Sequence, residues 1–113
     1  MTAKLIDGKF LSAAICQKVA AEVAALGAQG NPVKLVAILV GDNPAAQVYA
    51  ENQQRACARV GIAYELRTLP AGITREQLHA ATKALNADPA VTGIFLHSPL
   101  PTGLDLQDAQ YQV

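Results

Sequence analysis

The sequence has no surplus of either charge. Nine Lys and Arg stand against nine Asp and Glu, a formal net charge of zero at pH 7. Nucleic acids and anionic membrane surfaces select for a basic excess, because affinity for them comes largely from neutralising phosphates. Neither partner is expected. No apolar run approaches the roughly 20 residues that span a bilayer, and the opening MTAKLIDGKF lacks the apolar core of a secretory signal. Only two cysteines occur, Cys16 and Cys57, at no metal-ligand spacing. Both fall in helical patterns and are expected as small buried thiols of a reduced, cytoplasmic protein. No metal site is expected. There is no GxGxxG, no P-loop and no nucleophile elbow, so no dinucleotide or nucleoside triphosphate site is expected within these residues. Internal repeats and low-complexity tracts are absent as well.

What is present is a chain of 113 residues, 51% apolar and 16% charged, enough for one packed core and too apolar for disorder. Three strand patterns alternate with helical ones. KLVAILVG (34–41) is almost continuously apolar and rich in Val, Ile and Leu, as a strand covered on both faces reads. AYELRTLP (63–70) alternates only in part and belongs nearer an edge. VTGIFLHS (91–98) is apolar through Leu96. A helix is expected before the first strand, from Leu11, Ile15, Val19, Val23 and Leu26 at spacings of three and four, stopped by Gly27 and Gly30. A second runs from about Pro44 to Val60, with Asn43 as N-cap and Gly61 as the C-terminal stop. A third runs from about Arg75 to Leu85, with Thr74 and Gln77 as a capping box and Leu78, Ala81 and Leu85 as its apolar stripe. Residues 86–89 read as a turn, and a short helix is expected after Asp105.

Strands alternating with helices imply parallel pairing through crossovers. The expected fold is α/β, a three-layer α-β-α arrangement with a mostly parallel sheet and flanking helices, in a single domain spanning 1–113. All three strands then end on one side, where ligands of open α/β sheets gather. The loops of interest are GDNP, LPAG and HSPLPTG.

Tyr49 and Gln53 lie one helical turn apart on one face, continued by Ala56, Cys57 and Val60, so the pair is expected to point inward. Two readings are open: a cleft-lining pair, or a core tyrosine with an amide tied to the backbone. HSPLPTGLD carries two prolines one residue apart, giving a stiff extended loop that either frames a ligand or merely connects. His97, at the strand end, has an ordinary pKa close to neutrality and is either catalytic or structural. Asp42 and Asn43 sit where a helix N-terminus receives an anion, or simply cap it. Lys9 reads as a solvated charge, and His79 is expected to face water.

Four segments together carry a resemblance: IDGK (6–9), LVAILVGDNPAAQVYAENQQRACARVGI (35–62), LNADPAVTGIFLHSPLP (85–101), and the turn and helix between the last two. They resemble the N-terminal domain of the bifunctional methylenetetrahydrofolate dehydrogenase/methenyltetrahydrofolate cyclohydrolase family of one-carbon metabolism, over nearly the whole chain. The resemblance implies a two-domain enzyme in which this domain and a Rossmann-type NADP domain, absent here, enclose a folate cleft. It implies hydride transfer from 5,10-methylenetetrahydrofolate to NADP, hydrolysis of the 5,10-methenyl compound to the 10-formyl compound, and a full-length homodimer. Tyr49 matches a tyrosine that packs on and orients the folate, and Pro99, Leu100 and Pro101 match a loop framing the pterin. The implied substrate-binding set is Tyr49, Gln53, His97, Ser98, Pro99, Leu100 and Pro101, with Tyr49, Gln53 and His97 at the catalytic positions.

Two positions depart from the family pattern. Where the family has the lysine of Tyr-x-x-x-Lys, this chain has Gln53, which cannot exchange a proton near pH 7. Where the family has a glutamine before x-PLP, this chain has His97. Arg55 cannot substitute for the lysine, since two residues turn a side chain about 200° around a helix. Either His97 has taken over proton transfer, with Gln53 orienting it or the substrate, or the protein is a paralogue without cyclohydrolase chemistry. Two further classes stay open: a noncatalytic folate-binding or interaction module, and the substrate domain of another dehydrogenase such as an amino-acid dehydrogenase. An acidic KD-x-DG motif is expected downstream of Val113. Alone, the 113-residue chain is expected to fold, to be inactive, to bind folate weakly or not at all, and to bind no NADP. Calorimetric titration with NADP checks this: no heat of binding is expected.

Overall fold

The computed structural model describes residues 2–113, in the order α1 (Gly8–Ala28), β1 (Lys34–Val40), α2 (Pro44–Val60), β2 (Ala63–Leu69), α3 (Arg75–Ala87), β3 (Gly93–Leu96) and α4 (Leu106–Tyr111). The sheet has the order β2-β1-β3, and both pairings are parallel. The apolar strand is therefore the central one, and the partly alternating strand lies at an edge. The third strand, expected over 91–98, spans only Gly93–Leu96.

β1 dictates the layering. Val36 to Val40 are all buried, and successive side chains point to opposite faces. Val36, Ile38 and Val40 join Leu78 and Leu85 of α3 and Ala109 of α4 in one cluster, with Ile94 and Leu96 of β3 packed against it. Ala37 and Leu39 face the other way, toward the layer formed by α2, whose Ala46, Ala50, Cys57 and Val60 are buried. Each Val, Leu or Ile in these clusters stabilises the fold by about 1.5–3 kcal/mol through burial.

Local chemistry sets the helix ends. Asn43 accepts the Ala46 N–H at 3.1 Å, Pro44 takes the first helical position, and Gly61 closes α2 with φ 83°. Thr74 and Gln77 form the reciprocal capping box of α3. α3 runs on to Ala87, so the turn expected at 86–89 begins only at Asp88, whose carboxylate accepts the Ala90 N–H.

α1 departs from expectation. Asp7 caps it, but none of its residues is buried, and Leu11 and Ile15 are 48% and 62% exposed. It packs chiefly on α2, with Val23 near Gly61. The expected stripe is flanked by alanines on the remaining faces, so the helix has almost no polar side to oppose an apolar one. Cys16, expected buried, is half-exposed on it; Cys57 is buried as expected. By length and composition α1 is also apolar enough to cross a bilayer, contrary to the sequence expectation, with a mean hydropathy of 1.4. Lys18 and Glu22 interrupt its apolar run.

Leu85→Ala is expected to lower unfolding free energy by about 2–5 kcal/mol through cavity formation. Leu11→Ser is expected to stay within about 0.5 kcal/mol. Urea denaturation of each variant checks the contrast.

Candidate functional site

The three loops at the carboxyl ends of the strands converge on Gly41. Its N–H donates to Leu69 O at 2.9 Å, and φ is 89°. A Cβ built at this position would lie 3.6 Å from Ala71 Cβ and 3.7 Å from Pro101 Cγ. A side chain there is strained by the backbone conformation, although its Cβ would make only ordinary contacts. The loops after β1, β2 and β3 thus meet at one rim.

Beside this rim a cavity of about 270 Å³ opens, lined by Ala45, Ala46, Tyr49, Phe95, His97 and Ser98. Its helical wall is the first turns of α2, where Ala45 and Ala46 leave room. Its opposite wall comes from β3 and the residues after it, where Phe95 and His97, two positions apart, share a face. The Tyr49 and Phe95 rings stack with centroids 5.8 Å apart and planes at 15°. His97 meets Tyr49 edge-on at 5.6 Å and Phe95 at 4.9 Å. Tyr49 is 55% exposed, so the tyrosine expected to point inward forms an open aromatic wall.

His97 is 3% exposed. Its backbone N–H donates to Ile38 O at 2.9 Å, extending the sheet pairing by one residue. Its Nε2 is buried without a hydrogen-bond partner, the one such side-chain atom among the described residues. Desolvation penalises the imidazolium and pushes the pKa below its ordinary 6.5. Burial therefore favours the neutral ring.

Gln53 is half-buried and does not line the cavity. The Tyr64 hydroxyl of β2 donates to its Oε1 at 3.0 Å. Burial, and secondarily Cys57, pushes the Tyr64 phenol above its ordinary pKa, which keeps it a donor; burial also raises the Cys57 thiol. Of the face expected to continue Tyr49 and Gln53, Cys57 and Val60 are buried and Ala56 is exposed. From the proline loop beyond His97, Ser98 alone reaches the cavity. The Ser98–Pro99 bond is cis, and Pro99 is exposed. Leu100 packs on the core cluster, and Pro101 supports Gly41.

Asn43 acts as the cap, Asp42 is exposed beside it, and Lys9 is exposed in α1. His79 does not simply face water: its Nε2 lies 3.0 Å from Asp108 Oδ2. Arg75 donates to both oxygens of the same carboxylate, at 2.8 and 3.0 Å, tying α3 to α4. Arg75 chiefly, then His79, holds the Asp108 carboxyl below its ordinary range. Among the described residues no group of three or more His, Cys, Asp or Glu could hold a metal. Phe95 and Tyr64 were not singled out from sequence. The two-residue spacing of Phe95 and His97 was a usable signal, whereas the Tyr64–Gln53 contact joins separate elements and left none.

The family model for the tetrahydrofolate dehydrogenase/cyclohydrolase catalytic domain matches residues 6–113. The bifunctional protein FolD of Rhodopirellula baltica is 47% identical over 112 residues, covering 93% of this chain and 37% of that protein. The crystal structure of the bifunctional FolD dehydrogenase/cyclohydrolase of Campylobacter jejuni superposes with a TM-score of 0.94 at 35% identity, over 97% of this chain and 39% of the other. The Trypanosoma brucei enzyme, solved with NADP cofactor and an inhibitor, gives 0.86 at 30% identity, over 100% of this chain and 39% of the other. The chain thus spans somewhat more than a third of the relatives it matches.

Because the folded His97 pKa is depressed, the unfolded chain binds more protons below about 6.5. The resulting stability is complete above that value and falls as pH drops through it. Urea midpoints between pH 7.5 and 5 are expected to decline, and His97→Gln is expected to flatten that decline.

Proposed function

The chain belongs to the tetrahydrofolate dehydrogenase/cyclohydrolase family, and from that premise we propose that it is the folate-binding catalytic domain of a bifunctional methylenetetrahydrofolate dehydrogenase/methenyltetrahydrofolate cyclohydrolase. The supporting observation is the cavity at the carboxyl edge of the sheet, where Tyr49 and Phe95 offer aromatic surface and the His97 ring and Ser98 complete the lining. A flat pterin suits such a wall, because aromatic faces bury area in specific geometry while a polar atom fixes orientation. In this reading Tyr49 packs on the folate, His97 and Ser98 meet its polar edge, and Pro99, Leu100 and Pro101 hold the rim.

Methylenetetrahydrofolate oxidation moves a hydride to the nicotinamide, and we assign NADP as the acceptor in the full-length enzyme. These residues do not fit that cofactor. No glycine-rich turn follows a strand here, and the α2 N-terminus is already occupied by the Asn43 carboxamide. NADP is therefore assigned to a separate Rossmann-type domain, with residues 1–113 as the N-terminal folate domain of a homodimeric enzyme. The isolated chain is inactive in this reading.

Methenyl hydrolysis adds water to the bridging carbon and then breaks that carbon's bond to N5, leaving the formyl group on N10, and a base must take the water's proton. Gln53 cannot do so. Of the cavity residues, His97 alone has its ordinary pKa near neutrality, and in its neutral form it carries a basic nitrogen. We assign it that role. The Gln53–Tyr64 bond favours a second reading, a folate-binding member that has lost hydrolysis, since a tethered amide replaces a proton-transfer group.

Turnover of 5,10-methenyltetrahydrofolate by the full-length protein separates the two. His97→Gln is expected to reduce hydrolysis about 100-fold, the scale of a lost general base, while Gln53→Lys raises it. An appreciable wild-type rate untouched by His97→Gln sinks the His97 assignment. A wild-type rate of zero, with tetrahydrofolate still bound, establishes the second reading.

A further inference from the structure

Gln53 hydrogen-bonds to protein only through its carbonyl oxygen, which accepts from Tyr64. Its amide nitrogen donates to no protein atom among the described residues, yet it is not among the sealed unpartnered atoms, so it reaches solvent. It stands one turn beyond Tyr49, about 6 Å along α2 and about 40° around it, next to the cavity lining but not part of it. An unrestrained glutamine amide can turn over and present either its acceptor or its donor. Here one end is engaged from β2, an element outside the cavity wall.

We propose that Tyr64 is a positioning residue that fixes the Gln53 carboxamide, leaving its –NH2 as a dedicated hydrogen-bond donor toward a ligand seated against Tyr49. The inference rests on the folate reading and deepens it. The group met beyond Tyr49 is an acceptor, such as a carbonyl or ring nitrogen of the heterocycle, and not a donor. Tyr64 does not touch the ligand and acts through Gln53. Its phenol holds only one end of the amide, so removing the hydroxyl frees rotation about the last side-chain bond while leaving the ring packed.

The test is a double-mutant cycle in the full-length protein, read by tetrahydrofolate affinity and by the split between kcat and KM for the dehydrogenase reaction. Tyr64→Phe is expected to weaken tetrahydrofolate binding about three- to tenfold, the scale of one net hydrogen bond, with kcat little changed. Gln53→Leu weakens binding similarly, and the double variant is no worse than either alone. Gln53→Glu keeps the acceptor for Tyr64 but removes the donor, so it loses at least as much as Gln53→Leu. Effects that multiply, or full affinity in Tyr64→Phe or Gln53→Glu, overturn the inference while leaving folate binding intact. A wild-type protein that binds no tetrahydrofolate overturns the folate reading itself, and with it the donor's ligand. The tether is also read without ligand: Tyr64→Phe is expected to shift and mobilise the Gln53 side-chain amide resonances in NMR spectra. Unchanged resonances overturn the inference whether or not folate binds.

Discussion

The burial of β1 on both faces is the constraint from which the rest follows. Five consecutive apolar side chains, Val36 to Val40, cannot be covered by one layer, because neighbouring residues point in opposite directions. α3 and α4 answer one face and α2 the other. Helices on both sides require crossovers, crossovers require parallel strands, and parallel strands end at one edge. The cavity lies at that edge because the fold places three strand ends there. Ala45 and Ala46 line it at the start of α2, where Asn43 and Pro44 set the helix in motion.

Within that frame the site keeps charge out. Tyr49, Phe95 and a neutral His97 form its walls, and its lining contains no formal charge at neutral pH. The ion pairs lie elsewhere: Lys34 and Arg67 on Glu65 at the β2 edge, Arg55 on Glu51 along α2, and Arg75 on Asp108 between α3 and α4. A low-charge pocket strengthens each hydrogen bond made inside it and raises the cost of any polar atom left unpaired. This gives the buried imidazole nitrogen, His97 Nε2, a weight that it would lack on an open surface.

Much of the architecture was legible because the signals were local. The uninterrupted run at 34–40, the Asn43–Pro44 start, the Thr74–Gln77 box and the Gly61 stop each specify their element through short-range chemistry, and the parallel sheet follows from their order. The loops at the rim were legible for the same reason. What could not be read depends on contacts between elements. Spacing along α2 placed Tyr49 and Gln53 on one face, but not that β3 would bring Phe95 to the tyrosine, nor that β2 would bring Tyr64 to the amide. The periodicity of α1 was equally ambiguous, since alanines on its other faces leave no polar side to define an outside. His79 looked solvent-facing until α4, a six-residue helix, supplied Asp108.

Gly41 gives the rim a further property. The three loops there do not rest on separate footings: Ala71 and Pro101 both approach a single residue that has no side chain. A lengthened loop after β2 would be felt after β3, and remodelling either would disturb the turn that launches α2. Sequence change at this edge should therefore be concerted, with loop lengths drifting together or not at all, and grafting one loop from a distant relative should fail where exchanging all three succeeds.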